Sequence, residues 1–169
     1  MVGLIRFILF FFVFLSYGQE HILIGDSQTY YLSKYTKQIK QIKKLSKSGI
    51  GVVELNKKIV SYPTSKNTKS VSVCIGVNDY YQDNGVETLM ISIKRTFPNA
   101  TIYIIQGSWG WGKVKKTNMV KILTYYKGYQ KLGGIIIEPP IGYGDPHKDK
   151  PIYKKIVNKI EDLINKIYG

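Results

Sequence analysis

The sequence predicts an α/β protein, a three-layer α/β/α sandwich around a parallel sheet, and three observations carry that prediction. Short apolar runs at residues 22–24, 71–75, 101–105 and 135–137 have strand length and little polar alternation, as strands buried on both faces do. Longer segments with apolar residues at helical spacing separate them. The first two runs stop at glycines, Gly25 and Gly76, with polar residues immediately after. Strands alternating with helices form parallel βαβ units with right-handed crossovers. With 169 residues and 44% hydrophobic content, the chain suffices for one domain with a real core.

Residues 1–18 carry Arg6, an unbroken apolar run over 7–15, and then Ser16 and Gly18, small residues at the positions a signal peptidase reads. This predicts a secretory signal peptide over 1–18, cleaved after Gly18, with one domain over 19–169. The apolar run is too short to span a bilayer comfortably, so no transmembrane span is expected after cleavage. The expected location is secreted or extracytoplasmic.

After the first strand comes Gly25-Asp26-Ser27. Segment 29–44 places Tyr31, Leu32, Tyr35, Ile39 and Ile42 on one face and predicts an amphipathic helix that starts beside Ser27. Gly49 and Gly51 open a second helical pattern with Val52, Leu55 and Ile59, leaving room for only a short strand between the two helices. Residues 61–70, with Pro63, Thr64, Ser65 and Asn67, read as a polar loop. The strand at 71–75 leads into Gly76-Val77-Asn78-Asp79, and a helix over 87–97 is closed by Pro98.

The strand at 101–105 runs into the glycine-rich stretch 107–112, whose Trp109 and Trp111 either line a ligand pocket or cap the core. A helix over 117–132 follows, then the strand at 135–137. The loop over 138–151 carries Asp145-Pro146-His147, and Ile152, Ile156, Ile160, Leu163, Ile164 and Ile167 give the closing helix the most regular spacing in the chain.

Twenty-five Lys and Arg face 11 Asp and Glu, a formal net charge of +14. That excess describes either a solvated lysine-rich surface or attraction to an anionic polymer or surface. No run of five basic residues, zinc-ligand spacing or recognition helix is present, so no specific nucleic-acid partner is expected. No cofactor or metal is expected. Cys74 is the single cysteine, which excludes an intrachain disulfide, and its apolar surroundings make it a core residue rather than a thiol nucleophile.

Three chemically loaded turns thus fall where strands end: Gly25-Asp26-Ser27, Gly76-Val77-Asn78-Asp79 and Asp145-Pro146-His147. In a parallel sheet those ends share one edge. A serine hydroxyl becomes a nucleophile when an imidazole takes its proton, and the imidazole needs an acceptor to fix its tautomer. His147 and Asp145 supply those types. Asn78 and backbone N–H groups near Ser27 and Gly51 are candidate oxyanion donors. The other histidine, His21, precedes the first strand, at the opposite edge of the sheet.

Gly25-Asp26-Ser27, Gly51, Gly76-Val77-Asn78-Asp79 and the late His147 together resemble the blocks of the SGNH hydrolases, the GDSL-like lipase/esterase family, over residues 22 to about 167. The resemblance implies a flavodoxin-like fold and hydrolysis of esters in lipids, thioesters or acetylated sugars. It implies Ser27 as nucleophile, His147 as base, and Ser27 N–H, Gly51 N–H and Asn78 as the oxyanion hole. Two features depart from the family pattern. Gly144 stands where the family's aspartate precedes the histidine by three, leaving Asp145, Asp149 or a carbonyl to orient His147. The compressed stretch between Ser27 and Gly51 leaves Gly49 and Gly51 as alternatives. The expectation is a secreted serine esterase forming an acyl-enzyme on Ser27, acting on an acetylated carbohydrate, a lipid or a short acyl ester. The alternative is a catalytically degenerate module of the same fold that binds glycans or other polyanions.

Overall fold

The computed structural model describes residues 20–106, 116–138 and 150–169. In chain order these form β1 (Glu20–Gly25), α1 (Gln28–Leu32), β2 (Ile39–Ser46), α2 (Val52–Val60), β3 (Thr68–Cys74), α3 (Val86–Thr96), β4 (Thr101–Ile105), α4 (Lys116–Lys131), β5 (Ile135–Ile137) and α5 (Lys150–Tyr168). The strands make one sheet in the order β2-β1-β3-β4-β5, and every pairing is parallel.

Both faces of the sheet are covered, which is why its strands read as apolar runs. Ile22, Ile24, Val71, Val73, Ile102 and Ile104 pack with α2, α3 and α4 through Leu55, Leu89 and Tyr126. The alternate residues Leu23, Cys74, Tyr103, Ile105 and Ile137 pack with Leu32 of α1 and with Tyr153, Ile156 and Ile160 of α5. The result is the α/β/α sandwich expected, with three helices on one face and two on the other.

Two expectations are corrected. The helix predicted over 29–44 stops at Leu32, and Ile39–Ser46 is the edge strand β2 rather than a second half of that helix. Its register explains the misreading. Leu23 pairs with Gln41 and Gly25 with Ser46, so Ile24 alone stands opposite Ile42 to Leu45. This bulge resets the alternation: Ile39 faces the α1–α5 layer, whereas Ile42 and Leu45 face the other. The apolar spacing becomes three, which imitates a helix. Upstream, the Thr36 hydroxyl accepts the N–H groups of Gln38 and Ile39 and donates to Glu161 of α5 at 2.6 Å, a turn that ends any helix.

The predicted loop over 61–70 is also too long, since β3 starts at Thr68. Thr68 and Ser70 are buried, and their polarity hid the start of the strand.

The chain enters at β1 near the middle of the sheet, passes to β2 on one side, then crosses to β3 on the other. Neighbours β1 and β3 therefore send their following connections in opposite directions. A reversal of this kind marks the carboxyl ends of β1 and β3 as the place where open α/β sheets bind ligands.

Candidate active site

The turn that presents Ser27 is fixed by its neighbours on both sides. Gly25 has φ of 129°, and a Cβ there would overlap the Cys74 carbonyl oxygen, so only glycine fits. That carbonyl accepts the Asp26 N–H at 2.9 Å, while the Gly25 carbonyl accepts the Lys47 N–H at 3.0 Å. Asp26 is 2% exposed; its carboxylate accepts the Gln28 N–H at 2.9 Å and its carbonyl accepts the Thr29 hydroxyl at 2.7 Å. Asp26 thus shapes the bend, and Ser27 follows as the part-exposed first residue before α1, with no side-chain capping bond to that helix.

The two neighbouring turns are laced together beside it. Gly76, at φ of 122°, leaves β3 with its Cα against the Tyr125 ring, 2.7 Å from where a Cβ would stand. The next residues turn back, with the Asp79 N–H on the Gly76 carbonyl at 3.2 Å. Asn78 then donates its side-chain N–H to the Ile50 carbonyl at 3.0 Å, and the Asp79 carboxylate accepts the Val52 N–H at 2.8 Å. Between those anchor points sits Gly51, in extended conformation at the start of α2, where a Cβ would overlap the Asp79 carboxylate. Its own N–H has no acceptor among the described residues. Gly49, by contrast, has φ of 75° and open space around it. The structure therefore sets Gly51, and not Gly49, against the Asn78-Asp79 block. An amide nitrogen carries two hydrogens, and Asn78 uses one of them on Ile50.

Electrostatics separate the candidates further. Burial raises the Asp79 carboxyl above its ordinary value, opposed by the Val52 N–H. The Cys74 thiol is fully buried, and burial together with the Asp26 carboxylate pushes it well up, in keeping with a core residue. His21 lies in the amino-terminal half of β1, where its Nδ1 and the Ser70 hydroxyl are 2.8 Å apart, and burial lowers its ionisation. Roughly 13 Å of strand separates it from Gly25.

His147, Asp145, Asp149, Trp109, Trp111 and the segment 1–18 lie outside the described residues. A part-exposed serine, a backbone N–H and a side-chain amide gathered at one sheet edge suit attack on a carbonyl and stabilisation of the oxyanion it forms. Two features escaped the sequence. Asp79 caps a helix whose first residue is 27 positions earlier in the chain, so no local pattern announces the pairing. Tyr80 and Tyr81 both adopt positive φ, a backbone choice their residue types do not signal.

No family model matches the sequence, and no curated protein matches it. Solved structures do match its fold. The C-terminal catalytic domain of peptidoglycan O-acetyltransferase A from Streptococcus pneumoniae superposes with a TM-score of 0.59 at 16% identity, covering 88% of this chain and 93% of that one. The lipase/acylhydrolase from Enterococcus faecalis gives 0.57 at 11% identity, covering 87% and 95%. A family two carbohydrate esterase from Clostridium thermocellum, solved in complex with cellohexaose, gives 0.58 at 13% identity, covering 88% and 64%. The chain has the SGNH-hydrolase fold.

Proposed function

We propose that this SGNH-fold chain is a serine esterase that works through an acyl-enzyme on Ser27. One observation carries the reading: the Ser27 turn and the laced Gly51–Asn78–Asp79 turns stand side by side at the carboxyl ends of β1 and β3. The placement of His21 far up β1 supports His147 as the base, since the chain has two histidines.

In this mechanism the Ser27 hydroxyl attacks the ester carbonyl while His147, oriented by Asp145, takes its proton. The oxyanion is received by the N–H groups of Ser27 and Gly51 and by the Asn78 amide. His147 returns the proton to the departing alcohol, then deprotonates a water that releases the acid. Each oxyanion donor contributes about 3 to 4 kcal/mol to the barrier reduction. The same acyl-enzyme can pass its acyl group to a sugar hydroxyl instead of water, which is the reaction named for the pneumococcal neighbour.

The substrate class is an acetylated carbohydrate or a lipid or short acyl ester, supported by the names of the fold's neighbours. A signal peptide over residues 1–18 and the strongly basic composition of the chain suit a substrate held on an anionic polymer outside the cell. The test is hydrolysis of p-nitrophenyl acetate. Ser27→Ala abolishes it and leaves the melting curve unchanged; turnover equal to that of the wild type overturns the reading.

A further inference from the structure

We propose that the turn following Asn78 is a binding subsite for a neutral sugar ring, with the exposed ring of Tyr80 as its stacking face. The observation behind it is a pair of consecutive tyrosines in the left-handed region, Tyr80 at φ of 50° and Tyr81 at φ of 55°. Bulky side chains rarely adopt that conformation, and glycine would occupy it without strain. Strain of this kind persists where the surrounding structure enforces it and where the side chain has a use.

Tyr81 has its use inside the protein. Its N–H bonds the Gly76 carbonyl at 3.0 Å, and its ring meets Tyr125 and Tyr126 at 5.7 and 6.0 Å between centroids. Tyr80 has none there. It is 76% exposed and makes no ring contact among the described residues, so the core gains nothing from its side chain. An aromatic ring held in solvent by a strained backbone, two residues from the candidate oxyanion donor Asn78, is explained by something that lies on it.

The chain then lines a recess of about 430 Å³ with Tyr81, Gln82, Asp83, Asn84, Lys121 and Thr124. That volume falls in the range of small-ligand sites. One carboxylate and one ammonium give the wall no net charge, and the amides and hydroxyl offer donors and acceptors side by side. The open surface of the recess, to which Tyr125 also contributes, is more apolar than polar, and that mixture fits the C–H faces and hydroxyls of a sugar better than it fits an anion. A pyranose presents C–H groups to an aromatic face and hydroxyls around its rim, the complement of the Tyr80 ring and of a lining, starting at the next residue, that mixes apolar surface with amides and a hydroxyl. Where the ring of an ester substrate would lie relative to Ser27 rests on the esterase reading; sugar binding at the turn does not.

The experiment titrates xylohexaose and cellohexaose into the protein carrying Ser27→Ala, followed by calorimetry and by NMR. At least one oligosaccharide binds. Adding Tyr80→Gly weakens that binding tenfold or more, while Tyr80→Phe, which keeps the face, leaves it within twofold. Because glycine accepts the positive φ, the melting temperature of the Tyr80→Gly protein is no lower than its parent's, which separates loss of the ring from loss of the fold. Equal affinity of the Tyr80→Gly and parent proteins overturns the proposal, as does absence of binding by both oligosaccharides. Failure of the wild type to hydrolyse p-nitrophenyl acetate would remove the esterase reading and leave Tyr80-dependent sugar binding standing.

Discussion

The Asp79 carboxylate occupies the space that a side chain on Gly51 would fill, and from there it accepts the Val52 N–H at 2.8 Å. A cap from one crossover thus holds the start of the helix in another. With the Asn78 bond to the Ile50 carbonyl, it fixes the backbone on both sides of Gly51.

Removing either partner of this arrangement should cost both stability and turnover. Asp79→Ala leaves the first turn of α2 without its cap and lowers unfolding free energy by about 1 kcal/mol. It also loosens the Gly51 N–H, so kcat for p-nitrophenyl acetate falls at least tenfold while the fold persists. Gly51→Ala drives its methyl into the carboxylate and displaces Asp79, giving a similar loss. Urea melts and initial rates check both, and a wild-type kcat in Asp79→Ala would show that the cap has no bearing on the oxyanion donors.

The raised ionisation of Asp79 gives a pH signature of its own. Its folded-state carboxyl titrates above the unfolded value of 3.8, because burial disfavours the charged form. Between those two values the folded state binds more protons than the unfolded state, so this group's contribution to stability is present below the unfolded value and is lost as pH rises through the folded one. Asp79→Asn removes that dependence. The stability difference between wild type and Asp79→Asn should therefore shift in favour of the wild type as pH falls from 7 toward 4, measured by urea melts at each pH. A difference that is flat over that range would contradict the burial of the carboxylate.

Most of the sandwich was legible because buried parallel strands and amphipathic helices write their periods directly into the chain. Thr101–Ile105 and Ile135–Ile137 were read to the residue, and the ends of the first two apolar runs placed the Ser27 and Asn78 turns at one edge, whereas the choice between Gly49 and Gly51 stayed open. The edge strand β2 was not legible. A bulge erased its alternation, and its lysines, which face water, looked like the polar side of a helix. The pairing of Asp79 with Val52 was hidden for a different reason: it is a tertiary contact between two turns, and sequence periodicity carries no record of it.

Gly25 should tolerate no substitution. Its φ of 129° and the Cys74 carbonyl behind it leave no place for a methyl group. Gly25→Ala combines backbone strain with overpacking and should destabilise by about 3 kcal/mol. The displaced Cys74 carbonyl also loses the Asp26 N–H, so Ser27 moves and residual folded protein hydrolyses esters slowly. A Gly25→Ala protein with wild-type stability and rate would show that the bend is not built as described.

The two histidines should separate cleanly by experiment. His21 is buried against Ser70 and Tyr168, with its imidazole and the Ser70 hydroxyl 2.8 Å apart, and burial holds its ionisation below 6.5. A base whose folded value is depressed lends stability above the unfolded value, and loses it as pH falls through the folded one. His21→Ala should therefore lower stability at pH 7.5 by about 1 kcal/mol through the lost hydrogen bond. It should also flatten the decline in stability between pH 7 and 5, and leave ester hydrolysis intact. His147→Ala should do the reverse, abolishing turnover with little change in the melt, because in the proposed mechanism His147 takes the Ser27 proton. If His21→Ala instead removed activity in a folded protein, the base would have been assigned to the wrong histidine, and the chemistry would have to be sought at the amino-terminal edge of the sheet.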